Sequence, residues 1–144
     1  MAKGYPDFFG FPIFPYYGDV SEEYDAAVVV LAGAFTELFS VTGKLRVHGG
    51  FMYISSNSSM EDDFFTVEID GVAFYNFYVS EGIALHGAGF NYPIVPTYIR
   101  SDYGLAYYTF QTDWLAKDTF KISYDNNHAN QIVANIRFNY DLLQ

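Results

Sequence analysis

The chain has 144 residues, 17 acidic against 7 basic side chains, a formal charge of −10 and no cysteine. That charge argues against nucleic acid and an anionic membrane surface as partners. The missing cysteine removes disulfides, thiolate metal sites and a cysteine nucleophile. One domain with its own core is expected at this length. The opening MAKGYPDFFG has no charged stub followed by an apolar h-region, and no apolar run approaches eighteen residues. The expectation is therefore a soluble protein with neither export signal nor membrane span.

The first predicted element is an arm, residues 1–20. Its stretch GYPDFFGFPIFPYYGD, Gly4 to Asp19, holds seven aromatic residues and three of the five prolines. Rings at this density are an aggregation hazard unless they have a surface to bury against, and the prolines prevent the segment from becoming a central strand. Tyr5, Phe8, Phe9, Phe11, Phe14, Tyr16 and Tyr17 are the candidate assembly contacts. Residues 21–144 then read as a single β domain. A helical turn is expected near Ser21 to Asp25, followed by strands at Ala26 to Leu31, Thr36 to Ser40 and Leu45 to Ser55.

Asp70-Gly71 marks a tight primed turn joining FFTVEI to VAFYNFYV, the sharpest local signal in the chain. The long, glycine-bearing and apolar stretch Ser80 to Gly104 reads as a partner-facing loop. Leu105 to Thr112 is the next strand. Phe120, Ile122 and Tyr124 alternate with Lys121 and Ser123. Ile132, Ala134, Ile136, Phe138 and Tyr140 alternate with Val133, Asn135, Arg137 and Asn139. Each set predicts one buried and one wet face. Asp125 to Asn130 suits positive φ and is expected to close these two strands into an antiparallel hairpin. Eight strands with polar punctuation predict an all-β, antiparallel, jelly-roll-like sandwich behind an extended N-terminal arm.

Candidate chemistry is sparse. The imidazoles are His48, His86 and His128, and none lies in a catalytic motif. His48 reads as a partly buried strand residue and His128 as a turn residue. His86 lies in HGAG, too short for a dinucleotide fingerprint. Glu61-Asp62-Asp63, with Asn57 or Ser58, offers oxygen ligands for calcium, but reads as a solvated loop. Glu68 and Asp70 are expected on one strand face without a cleft. Asn57-Ser58-Ser59 matches a glycosylation acceptor by chance. No enzyme, cofactor or metal is expected. The 14 tyrosines and 15 phenylalanines keep a second reading open, a glycan-stacking surface.

The pattern KGYPDFFG at Lys3 to Gly10, with Ile13-Phe14-Pro15 and Tyr17-Gly18, resembles the opening of small virion structural proteins of tailed bacteriophages, in which such an arm precedes a β domain. LFSVTGKLRVHGGFMYI resembles the strand pair that follows, and VEIDGVAFYNF the central hairpin. The resemblance implies a capsid decoration protein or other head or tail component on the virion surface, present in the host cytoplasm during assembly. Its implied partners are copies of itself, with a trimer favoured, and a major capsid or tail protein. The alternative is a tail or fibre adhesion component, or a glycan-binding module using surface aromatics.

Overall fold

The computed structural model describes residues 20–81, 94–110 and 114–143. The seven aromatic candidates of the arm and His86 lie outside them. The described chain forms ten strands: β1 (Val20–Val30), β2 (Phe35–Thr42), β3 (Leu45–Ser55), β4 (Phe64–Ile69), β5 (Val72–Tyr78), β6 (Ile94–Ile99), β7 (Leu105–Phe110), β8 (Trp114–Ala116), β9 (Thr119–Asp125) and β10 (Ile132–Leu142). A single 3-10 turn, Val79–Glu81, follows β5. Among the described residues no helix is long and apolar enough to cross a membrane.

Every pairing is antiparallel, and the strands make two packed sheets. One has the order β1-β10-β3-β7-β6, with β8 beside the first residues of β3; the other is β2-β9-β4-β5. With β6 and β8 set aside, β1-β10-β3-β7 faces β2-β9-β4-β5, which is the strand order of a jelly roll. The chain therefore changes sheet at most of its loops. Among the described residues, only β4–β5 and β6–β7 are paired hairpins between consecutive strands.

Alternation fills the space between the sheets. Ile132, Ala134, Ile136, Phe138 and Tyr140 of β10 are buried, as are Phe120, Ile122 and Tyr124 of β9 and Phe65, Val67 and Ile69 of β4. An aromatic cluster stands at one side of this core. The Phe39 ring lies 4.4 Å from Tyr24 and 4.7 Å edge-on from Phe138, and Phe120 contacts both Phe39 and Phe138. Such pairs add about 0.5–1.5 kcal/mol each beyond burial. Tyr24 also donates its hydroxyl proton to the Leu38 carbonyl at 3.0 Å, linking β1 to β2 across the sheets.

The turn Asp70-Gly71 takes positive φ at both positions, 52° and 78°, as a primed hairpin requires. Other expectations are corrected. Ser21 to Asp25 is strand, part of β1 paired along its whole length with β10, rather than a helical turn. Residues 94–99 of the expected loop form β6, an edge strand; Pro96 sits at its register shift, and edge strands and bulges are where proline is tolerated in a sheet. The three-residue β8 lies outside the expected strands. The segments around Asp125 to Asn130 do not form a hairpin, because β9 and β10 belong to different sheets. Nor do its asparagines adopt positive φ; the described non-glycine residues that do are Asp70 and Tyr103.

Candidate functional site

The loops at one end of the sandwich, residues 56–63 after β3 and 126–131 after β9, meet around a buried carboxylate. Asp63 has no solvent exposure. A buried carboxylate is tolerated only when its oxygens are satisfied. Here Oδ2 accepts from the Tyr124 hydroxyl at 2.7 Å, and Oδ1 from the Asn127 backbone N–H at 2.8 Å and from His128 Nδ1 at 2.9 Å. Burial pushes the Tyr124 phenol far above its ordinary range, with the nearby Asp63 charge adding to the effect, so Tyr124 acts as a donor.

Asn126 sets the path of the second loop. Fully buried, it donates to the Val30 and Asn130 carbonyls and accepts from the His128 N–H. This places the imidazole with its far nitrogen toward β3. His128 Nε2 lies 3.0 Å from Ser56 Oγ, and the imidazole side chain is 14% exposed. Because Nδ1 faces a carboxylate, Nδ1 donates and Nε2 is left to accept from the Ser56 hydroxyl, which also lies 3.5 Å from the Gln131 carbonyl as an alternative acceptor. Ser56 Oγ also lies 3.3 Å from the Ser58 backbone N–H and 3.4 Å from Ser58 Oγ. Ser56 itself is fixed by its N–H bond to the Gly104 carbonyl.

The sequence candidates divide accordingly. His128, expected as a turn residue, is the middle member of a Ser56–His128–Asp63 line that no local motif announces. The acidic triplet is split: Glu61 and Asp62 are exposed, while Asp63 turns inward, correcting the expected solvated loop. Glu68 pairs with Lys121 at 3.3 Å, whereas Asp70 is a turn residue rather than a partner on the same strand face. Its carboxylate accepts from the backbone N–H groups of Lys117, Asp118 and Thr119. His48 is the extra residue of a β-bulge in β3, half-exposed, with Nε2 2.6 Å from the buried Asp141 carboxylate.

A second feature is the outer face of the larger sheet. Tyr53, Tyr107 and Tyr98 stand side by side on β3, β7 and β6, with ring centroids 5.4 Å and 6.0 Å apart. Phe51, Leu115 and Val29 share this face and are exposed. Tyr98 is 52% and Phe51 44% exposed, so the rings have no cover within the described chain.

No protein-family model matches the chain, and neither does any curated protein. A solved structure described as "Structure of infectious bursal disease virus Gx strain" aligns with 87% of this chain at 12% identity. The alignment spans 42% of that neighbour's chain with a TM-score of 0.25, and at that score the likeness carries no conclusion about function.

Proposed function

We propose that the chain is a virion structural protein, a bacteriophage capsid decoration protein or other head or tail component, which docks through its N-terminal arm and self-associates. The observation that carries this reading is the aromatic outer face of the β1-β10-β3-β7-β6 sheet. Phe51, Tyr98 and Tyr107 are exposed there beside a half-buried Tyr53, with no cover among the described residues. Aromatic clusters of this kind are the usual anchors of protein interfaces. The arm pattern from Lys3 to Gly18 supports the same reading, and a second copy of the chain is the occupant to which the face is assigned. A jelly roll alone does not decide the matter, since the architecture serves capsid and lectin domains alike.

Sedimentation or light scattering tests it. The full chain is expected to form a closed oligomer, with a trimer favoured. Phe51→Glu combined with Tyr107→Glu should dissociate it by removing about 2 kcal/mol or more per anchor ring. A full chain that stays monomeric at high concentration overturns self-association. The adhesion reading draws on the same tyrosines, whose spacing suits stacking on a glycan. It predicts a monomer whose Tyr53, Tyr98 and Tyr107 signals shift on adding sugar.

A further inference from the structure

We infer that Ser56 is a nucleophile, activated by His128 and Asp63, and that the rim of the sandwich holding it hydrolyses small acyl esters. Three observations converge, independently of the assembly role. Nucleophile and base are in hydrogen-bond reach, with Ser56 Oγ 3.0 Å from His128 Nε2. Base and orienting carboxylate are likewise in reach, with His128 Nδ1 2.9 Å from Asp63 Oδ1. The carboxylate is wholly buried and held by two further donors, Tyr124 and Asn127, so it fixes the imidazole rather than moving with it. This is the arrangement of roles by which a Ser–His–Asp array is recognised, whatever the chain order. Ser56 and His128 are 72 positions apart, and the jelly-roll crossovers bring them together.

The chemistry is balanced by these residues and water. Ser56 Oγ attacks the ester carbonyl carbon and gives its proton to His128 Nε2. The Ser58 backbone N–H donates to Ser56 Oγ at 3.3 Å in the resting chain and is released as Oγ bonds the carbonyl carbon, so that it is the nearest donor for the oxyanion. Collapse breaks the bond to the alcohol oxygen, which takes the proton from Nε2 and leaves an acyl-Ser56. Water then attacks the acyl carbon, giving a proton to Nε2, and the proton returns to Ser56 Oγ as the carboxylic acid departs. Asn57, Asn130 and Gln131 are exposed around the line, and their amide groups suit the hydroxyls of a sugar-type alcohol.

The test starts from the unmodified full chain, so that no variant has to fold. Treatment with diisopropyl fluorophosphate followed by peptide mass spectrometry should place one adduct on Ser56, and heat-unfolded protein should give none. Hydrolysis of p-nitrophenyl acetate should then fall about 100-fold or more in Ser56→Ala and in His128→Ala, each checked for folding by circular dichroism. Acetylated monosaccharides test the alcohol class. An adduct on another residue, no adduct on the folded chain, or hydrolysis unaffected by a folded Ser56→Ala overturns the proposal and leaves the line as a staple between two loops.

Discussion

Asp63 illustrates how much one side chain can organise. Its oxygens receive donors from residues 61, 64 and 65 positions away, so the carboxylate joins the loop after β3 to β9 and the loop beyond it. Within so dry a site an unpaired acceptor costs more than a made bond contributes. Tyr124→Phe deletes the donor to Oδ2 while keeping the buried ring. We expect a loss of about 1–3 kcal/mol in urea unfolding with an unchanged denaturant slope. An unaltered midpoint would show that water reaches the carboxylate. Gly50 makes a different demand: a Cβ there would strike the Arg137 carbonyl and the Phe138 backbone of β10. Nothing local in LRVHGGFMYI reveals that neighbour.

At the scale of the element, the β4–β5 hairpin combines a legible turn with an illegible anchor. Gly71 at φ 78° has open space around a hypothetical side chain, so only backbone strain opposes substitution. Gly71→Val should cost about 1–3 kcal/mol, read as a lowered thermal midpoint. An unchanged midpoint would contradict the turn. Asp70 adds a pH dependence. The Lys117 N–H first, then those of Asp118 and Thr119, hold its carboxyl below the usual carboxylate range. A depressed folded-state value means that the contribution is present above the unfolded value near 3.8 and is lost as pH falls through the lower folded one. Asn suits the same primed turn but carries no charge. The midpoint difference between wild type and Asp70→Asn should therefore be largest at neutral pH and shrink below about pH 4; a constant difference across that range would rule out the carboxylate as its source.

For the whole molecule, the point where the described chain begins and the Ser56 line sit at opposite ends of the sandwich, while the aromatic face runs along β3 between them. Val20, from which the arm extends, pairs with Leu142, and Leu142 with Leu45, while Ser56 follows the far end of β3. Removal of the arm is therefore separable from the Ser56 line. Deleting Met1 to Gly18 should leave a folded sandwich that retains Ser56 reactivity but assembles or attaches poorly, as measured by oligomer size and incorporation into particles. Normal incorporation would remove the arm as a tether. An unfolded product would place the arm in its own core, since a domain of this size has little stability to spare.

The sequence by itself determined the fold class, the faces of β10, the apolar face of β9 and the Asp-Gly turn; Ser123, expected on a wet face of β9, is buried because β9 is a central strand between β2 and β4. Each is a local property: alternation states which side of a strand is apolar, and positive φ at two adjacent positions selects Asp-Gly. It did not determine which sheet a strand joins, because one buried face looks the same in either layer. Two consecutive alternating strands therefore suggest a hairpin, although β9 and β10 lie in opposite sheets. β6 was hidden by Pro96, which speaks against a strand until the strand is known to be an edge. Only the tertiary structure decided that Ser56, Asp63 and His128 share one hydrogen-bonded line. Long-range crossovers set that proximity, and no spacing along the chain encodes it.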